Sequence, residues 1–242
     1  MNPPPSIAVC ESLSFSSPAP RARSFPHEFQ SQREVHFYPA RPEKTEADLL
    51  EIGPGKGDFL LAQANAHPGQ RFAAIEVRGE RFSKLIRRVE AAGLTNILLI
   101  NGDARCVIPR LVPDASLQQI VVLFPDPWPK RRQAFHRLLT VGFLTELVRS
   151  LKIGGEFVLK TDVESYAIWA ARNAAQLPQV AVTSATGHGV DSEMGETYYE
   201  RKQRAAGCMI HTLRITRAGK AGAASAGAED PVSSCKREDS RV

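Results

Sequence analysis

The sequence of 242 residues lacks the features that mark secreted, membrane-spanning and zinc-binding proteins. It has four cysteines, and no two of them form a C-x-x-C pair. We therefore expect free thiols in a reducing compartment rather than a disulfide framework or a metal site. The longest strongly apolar run, Ile120–Phe124, is only as long as a strand, and a membrane helix needs about 20 residues. With no signal-peptide pattern at the start, the prediction is a cytoplasmic protein.

Both ends of the chain lack a net charge. Residues 1–46 carry five basic and five acidic side chains, and residues 218–242 carry four of each. The net charge of +5 therefore falls on the middle, with 22 basic and 17 acidic residues. A basic core between neutral tails is typical of a protein with a polyanionic partner, although an excess of this size also serves solubility.

Composition divides the chain into three parts. The first forty residues are rich in Pro and Ser and have no helical or alternating pattern. We predict a disordered N-terminal extension over residues 1–46, a folded domain over 47–217, and a flexible tail rich in small residues over 218–242.

Short apolar runs alternate with amphipathic segments across the middle of the chain. Strands are predicted at Asp48–Ile52, Phe72–Val77, Asn96–Asn101, Gln119–Phe124, Glu156–Lys160, Val180–Ser184 and Cys208–Thr216. Helices are predicted at Asp58–Ala66, Gly79–Ala92, Ala104–Leu111, Phe135–Leu151 and Val163–Gln176. This alternation indicates an α/β fold with an open, doubly wound, mostly parallel sheet. Such folds bind ligands beyond the carboxyl ends of their strands.

A glycine-rich turn follows the first predicted strand. Glycines at 53, 55 and 57 would let the backbone turn sharply and approach a ligand at a helix N-terminus. No Walker A motif can be written here, and the dinucleotide fingerprint G-x-G-x-x-G fails because the third glycine comes one residue early. The turn is either a ligand-binding loop of another kind or purely structural.

Acidic residues stand at the ends of the first three strands. They are Glu51, Glu76 and Asp103. Glu76 lies 19 residues past Gly57, about the spacing at which a carboxylate accepts both ribose hydroxyls. Carboxylates near the loop would repel a pyrophosphate but suit a cationic nucleoside without phosphate, and S-adenosylmethionine is such a ligand.

A proline-rich segment follows the fourth strand, and we call residues 123–132 the lip. Its three prolines alternate with Asp126 and Trp128 and stiffen the backbone. Asp126 is expected beside the cofactor, and Trp128 offers a face on which a base can stack. The cations expected to meet phosphates are Lys130, Arg131, Arg132, His136 and Arg137.

The helix after Glu76 carries a second set of basic residues. Their spacing keeps most of them on one helical face. This face is either solvated or an extension of a phosphate-binding strip. Its members are Arg78, Arg81, Lys84, Arg87 and Arg88.

Several of these motifs together resemble the bacterial tRNA (guanine-N7-)-methyltransferase family over about residues 48 to 217. The Phe-Pro-Asp-Pro-Trp-Pro-Lys run is the most specific of them, whereas many methyltransferases share the glycine loop. The matching segments are Glu51-Ile-Gly-Pro-Gly-Lys-Gly, Ile75-Glu-Val, Asn101-Gly-Asp-Ala, Leu123-Phe-Pro-Asp-Pro-Trp-Pro-Lys, Lys160-Thr-Asp162 and Thr197-Tyr-Tyr-Glu200-Arg-Lys.

The resemblance implies a Rossmann-like class I methyltransferase fold, with a seven-stranded sheet and an antiparallel last strand. It implies S-adenosyl-L-methionine as cofactor, tRNA as partner, no metal, and Asp126 as the catalytic residue. The implied cofactor-binding residues are Glu51, Gly53, Gly55, Glu76, Asp103 and Asp126. The implied substrate-binding residues are Lys130, Asp162, Thr197, Tyr198, Tyr199 and Glu200.

Methyl transfer to guanine N7 needs no general base, because N7 carries an in-plane lone pair and no proton. Positioning and electrostatic stabilisation of the cationic guanine would carry catalysis. N7 lies in the deep major groove of A-form RNA, so the target is expected to be unpaired, as in the tRNA variable loop. Asp126 would either accept hydrogen bonds from guanine N1–H and the amino group or orient the cofactor.

Three rival functions fit parts of the pattern. An exocyclic-amine methyltransferase would share the fold, since an Asp-Pro-Pro-aromatic lip serves amines in that group. A non-catalytic RNA-binding subunit is disfavoured by the intact set of carboxylates. A nicotinamide dehydrogenase is disfavoured by the glycine spacing.

Overall fold

A computed structural model of the chain describes residues 11–14, 34–39, 47–187 and 194–219. The strands of the described residues are β1 Glu11–Ser14, β2 Glu34–Tyr38, β3 Leu49–Ile52, β4 Phe72–Glu76, β5 Ile97–Asn101, β6 Leu117–Leu123, β7 Leu151–Thr161, β8 Val180–Gly187 and β9 Ile210–Arg217. The α-helices are α1 Asp58–Ala66, α2 Gly79–Ala91, α3 Ala104–Leu111, α4 Val141–Ser150, α5 Glu164–Ala174 and α6 Tyr198–Ala205. A short 3-10 helix spans Arg131–His136.

The strands form one sheet in the order β1-β2-β5-β4-β3-β6-β7-β9-β8. Strands β3 to β7 pair in parallel, and β9 runs antiparallel between β7 and β8. Every residue of β3 and of β4 is buried, as expected for strands covered by helices on both faces. The chain reverses its direction of winding between β3 and β6, so the ligand crevice is expected where these two strands end.

The sheet has nine strands among the described residues, so the predicted count of seven is wrong. The two additional strands lie in the N-terminal extension, where β2 pairs antiparallel with β5 and β1 pairs with β2. Val35 and Phe37 of β2 are 0% and 1% exposed, because they extend the core beyond the edge of β5. The predicted disorder over 1–46 is therefore wrong for Glu11–Ser14 and Glu34–Tyr38. Most of that extension, and residues 220–242 of the predicted tail, lie outside the described residues.

The predicted helix Phe135–Leu151 is wrong in its first part. Helix α4 begins only at Val141, because Thr140 caps it by accepting a hydrogen bond from the backbone N–H of Phe143 at 3.3 Å. Helix α6 was not predicted.

Cys106 and Cys208 are free thiols, and the other two cysteines lie outside the described residues. No helix in the described ranges has the length and apolarity to cross a membrane.

Candidate active site

The carboxyl ends of the central strands surround a cavity, which we call the first cavity. Its wall includes Gly53 after β3, Glu76 at the end of β4, Asp103 after β5 and Asp126 after β6. Four residues far apart in the sequence meet here because parallel strands end at the same edge of the sheet. These are four of the six residues predicted to bind the cofactor.

The glycine loop leaves open space in front of its backbone. Gly53, Gly55 and Gly57 have φ of 74°, 58° and 78°, a region in which other residues are strained. A Cβ on Gly53 or Gly55 would meet no atom within 4 Å, whereas one on Gly57 would come within 2.3 Å of the Leu85 side chain. The first two glycines therefore face a space for a ligand, and the third permits close packing of the loop on α2.

Glu51 is a buried carboxylate with an unsatisfied oxygen. Its side chain borders a cavity beside the glycine loop, the residue is 2% exposed, and Oε2 has no hydrogen-bond partner within the described part of the chain. Burial, together with the nearby carboxylates of Asp58 and Glu76, raises the pKa of Glu51 to about 8. A buried unpaired carboxylate is costly, so this oxygen is suited to a ligand that brings a positive charge or a hydrogen-bond donor.

Glu76 and Asp103 differ in the hydrogen bonds that their carboxylates already accept from the protein. Glu76 Oε1 accepts a hydrogen bond from the backbone N–H of Arg78 at 2.9 Å, and its carboxylate otherwise faces the first cavity. Both oxygens of Asp103 accept from the Arg105 guanidinium, with Nη2 at 2.7 Å from Oδ2. Asp103 also caps α3 through the Arg105 N–H. Glu76 is thus the freer of the two acceptors.

The lip holds Asp126 between two residues with unusual backbone angles. Phe124 and Trp128 have φ of 51° and 43°, which costs about 1–3 kcal/mol each for such residues. Arg137 Nε donates to the carbonyl oxygens of Pro127 and Trp128, both at 3.2 Å. The prediction that Arg137 meets phosphate therefore differs from the structure, where this side chain fixes the lip.

Aromatic rings continue the wall from the lip. The ring centroids of Trp128 and His136 lie 4.8 Å apart, and those of His136 and Phe135 lie 4.0 Å apart. Trp128 and His136 both line the first cavity, and Phe135 is half exposed. The planes of neighbouring rings are tilted by 37° and 39°, and stacking of a base on Trp128 stays a prediction.

A second cavity lies on the other side of Asp126. Its wall includes the glycine loop, Asp126, Thr197, Tyr198 and Tyr199. Gly53, Phe124 and Asp126 line both cavities. Asp126 therefore stands where the two cavities meet.

Helix α6 forms the far wall of this second cavity. Thr197 caps the helix by accepting from the Glu200 N–H at 3.0 Å. The Tyr199 hydroxyl donates to Asp162 Oδ2 at 3.1 Å, and its ring lies 4.9 Å from that of Phe124. Lys56 Nζ lies 5.1 Å from the centroid of the Tyr198 ring. Thr197, Tyr198 and Tyr199 therefore line the second cavity, and Asp162 is joined to it through the Tyr199 hydroxyl.

Two predicted substrate residues lie elsewhere. Glu200 is fully buried, with its carboxylate against Lys160 Nζ at 3.3 Å and Arg204 Nη2 at 2.5 Å. A direct contact with a substrate would require this cluster to open. Lys130 is exposed and lines neither cavity, and its side chain makes no hydrogen bond or ion pair with the described residues. Over the same ranges, no group of three or more His, Cys, Asp or Glu is arranged to hold a metal.

The sheet order and the cavity at its carboxyl edge define a class I methyltransferase fold. Solved structures with this fold include the 16S rRNA methyltransferase KamB, with a TM-score of 0.54 and 17% identity over 73% of this chain and 90% of that one. TrmN from Thermus thermophilus has a TM-score of 0.52 and 19% identity over 72% of this chain and 45% of that one. At these identities the likeness concerns the fold alone.

Sequence comparison identifies the family. A family model described as "Putative methyltransferase" matches residues 45–213. The tRNA (guanine-N(7)-)-methyltransferase of Nitrosococcus oceani is 39% identical over 170 residues, 70% of this chain and 71% of that protein. The enzyme of the same name from Nitrosomonas eutropha is 41% identical over 52% of this chain and 56% of its own. The chain belongs to the tRNA (guanine-N(7)-)-methyltransferase family.

Proposed function

We propose that this protein transfers the methyl group of S-adenosyl-L-methionine to N7 of an unpaired guanine in the variable loop of tRNA. The observation that carries the proposal is the position of Asp126 at the junction of two cavities. The first cavity has the carboxylates of Glu76 and Asp103, and the second has Glu51 beside the glycine loop together with aromatic side chains suited to a base. Cytoplasmic tRNA is the proposed substrate.

The chain's own residues fit S-adenosylmethionine. Glu51 has an unpaired buried oxygen for the ammonium group, and Glu76 has a carboxylate in the cavity for the ribose hydroxyls. The open space in front of Gly53 and Gly55 admits the methionine portion against the backbone. Asp103 lies where the adenine amine would come, although its oxygens already accept from Arg105. When bound, the cofactor supplies a methyl group made electrophilic by its sulfonium.

The second cavity is proposed as the guanine site. Tyr198 and Tyr199 provide faces for stacking, and Asp126 reaches the same cavity from the lip. The carboxylate of Asp126 is proposed to accept hydrogen bonds from guanine N1–H and the amino group. This contact would strengthen as positive charge develops on the base, which favours the transition state over the ground state.

The remaining predicted substrate residues have supporting roles in this proposal. Thr197 and Asp162 hold Tyr198 and Tyr199 in place through the helix cap and the hydroxyl contact. Glu200 acts as a positioning residue through its buried ion pairs. Lys130, exposed at the end of the lip, would meet a phosphate of the RNA backbone.

Nucleoside analysis of the product tests the proposal. Unmodified tRNA would be incubated with the protein and labelled S-adenosylmethionine, then digested and resolved by mass spectrometry. N7-methylguanosine in the variable loop is the expected product. A methylated exocyclic amine would favour the amine-methylating rival, and the absence of any methylated nucleoside would favour the non-catalytic RNA-binding subunit.

A further inference from the structure

A basic cleft lies beside the second cavity, between α2 and α6. It has a volume of about 1070 Å³ and is bordered by the glycine loop at one end. Six cations line it against two acids, Asp58 and Glu196. The cations are Lys56, Arg81, Lys84, Arg87, Arg88 and Arg201.

The cations of α2 are brought together by helical spacing. Arg81, Lys84 and Arg88 are three and four residues apart, so they share one face of the helix. Arg87 stands three residues beyond Lys84 on the same side. Helix α2 buries its opposite face, which consists of Phe82, Leu85, Ile86 and Val89. The basic face is therefore fixed in orientation by the core.

Several of these cations remain open to a ligand. The side chains of Lys84 and Arg201 are 63% and 68% exposed. Arg81 and Arg87 are exposed and form no hydrogen bond or ion pair with the described residues. Arg88 differs, because it binds Asp58 at 2.7 Å and the carbonyl oxygen of Lys56. Asp58 and Glu196 pair with Arg88 and Arg201, and Glu80 beside the cleft pairs with Lys84, so six cations against three acids leave an excess of three positive charges.

The basic face of α2 lowers the pKa of an acidic residue on the same helix. The pKa of Glu80 on α2 lies below its usual value, chiefly because Lys84 donates a hydrogen bond to it, with Arg78 and Arg81 acting in the same direction. An excess of positive charge gathered on one surface favours a polyanion.

The cleft opens directly into the second cavity. Lys56, Arg81 and Tyr198 line both. A strand of RNA lying in the cleft would therefore lie next to the proposed guanine site. The lip, with Lys130, approaches the junction from β6, so the two basic surfaces reach it from separate elements.

We propose that the cleft between α2 and α6 binds the phosphate backbone of the tRNA next to the target guanine, with Lys84, Arg87 and Arg201 as its principal phosphate contacts. This inference rests on the proposed function, because it takes tRNA as the substrate. It assigns to α2 a substrate-binding role separate from the cofactor residue Glu76 that precedes it.

The salt dependence of tRNA binding tests the proposal. The triple variant Lys84→Gln, Arg87→Gln, Arg201→Gln should bind unmodified tRNA about tenfold more weakly at 0.15 M salt. The slope of log K against log salt should become shallower by about 2, since each phosphate contact contributes roughly 0.7 to 0.9. The affinity for S-adenosylmethionine should stay unchanged.

A matched control removes the same charge far from the site. Arg71, Lys152 and Arg172 lie toward the opposite, amino edge of the sheet, and replacing them with Gln should leave the slope within about 0.5 of wild type. An unchanged slope in the cleft variant, or an equal loss in the control, would overturn the proposal.

The outcome is separable from that of the proposed function. The cleft variant should still form N7-methylguanosine at saturating tRNA, because its substitutions spare both cavities. In one outcome, wild type forms N7-methylguanosine while the cleft variant binds tRNA as wild type does. That result would contradict phosphate binding by the cleft and leave the proposed function standing. A wild-type protein that binds tRNA but forms no N7-methylguanosine would contradict the proposed function alone.

Discussion

Lys160 Nζ lies 3.3 Å from Glu200 Oε2, and both side chains are withdrawn from solvent at 2% and 0% exposure. Lys160 stands near the end of β7 and Glu200 lies in the first turn of α6, so the pair joins the sheet to the helix that walls the second cavity. Arg204 completes the cluster from the next turn of α6. This contact fixes Tyr198 and Tyr199 relative to Asp126.

Removing one partner of this pair should destabilise the protein. Lys160→Met leaves the Glu200 carboxylate buried with Arg204 as its remaining partner, and breaking a buried pair in this way costs about 3–5 kcal/mol. Urea unfolding measures the difference. The double variant Lys160→Met, Glu200→Gln should recover part of the loss, because the Glu200 charge is gone and Arg204 keeps Glu196 as a partner at 3.3 Å. Equal stability of wild type and Lys160→Met would show that the pair does not hold α6.

Helix α6 also shows where sequence reasoning failed. Its sequence, Tyr198 to Ala205, has no apolar stripe, and the helix is fixed by buried ion pairs that depend on residues 40 positions away. A signal was nevertheless present, since Thr197-x-x-Glu200 has the form of a capping box. In the structure Thr197 caps as expected, while the Glu200 carboxylate turns toward Lys160.

The parallel core was predictable because most residues of its first four strands, β3 to β6, are apolar. All seven predicted strands are present with ends shifted by a few residues, and α1 and α3 have their predicted bounds. Strand β2 was not predicted, because the N-terminal extension is rich in Pro and Ser and the alternation of Val35 and Phe37 within it is short. The strand-end positions of Glu76 and Asp126 followed from topology. The engagement of Asp103 by Arg105 did not, because side-chain partners two residues apart are set by local rotamers.

Loss of the Glu76 carboxylate should weaken cofactor binding. Glu76→Ala removes the proposed acceptor of the ribose hydroxyls, and charge-assisted hydrogen bonds contribute about 1.5–3 kcal/mol. Calorimetric titration with S-adenosylmethionine measures the change. Glu80→Ala, four residues further on α2 and paired with exposed Lys84, is the matched control and should bind normally. Normal binding of S-adenosylmethionine by a folded Glu76→Ala protein would show that Glu76 does not accept hydrogen bonds from the ribose hydroxyls.

The pKa of Glu51 predicts a pH dependence for cofactor binding. With a pKa of about 8, the carboxylate is mostly protonated at pH 7 in the free protein, and a cationic ligand would favour its ionised form. Binding should therefore release close to one proton at pH 7 and strengthen as pH rises toward 8. Calorimetry in buffers of different ionisation enthalpy counts the proton. Glu51→Gln should abolish the release, and an unchanged proton count in that variant would place the ammonium group elsewhere.

The same pKa fixes the sign of a stability effect. Glu51 binds its proton more tightly in the folded protein than in the unfolded chain, where its pKa is near 4.5. The titration of Glu51 therefore lowers the free energy of unfolding progressively as pH rises from about 4.5 through 8. Thermal unfolding without ligand at pH 6 and pH 9 should show a larger loss for wild type than for Glu51→Gln. A loss of equal size in both proteins would mean that Glu51 titrates normally.

The most direct test of the account is the single-turnover formation of N7-methylguanosine in tRNA by wild type and Asp126→Asn. Saturating tRNA and S-adenosylmethionine remove differences in binding, and Pro125 and Pro127 keep the backbone of the variant in place. If the charge at the junction of the two cavities favours the cationic product, the variant should be about 100-fold slower or more. A rate within about threefold of wild type, a barrier change below roughly 0.7 kcal/mol, would contradict the assignment of Asp126 as the catalytic residue.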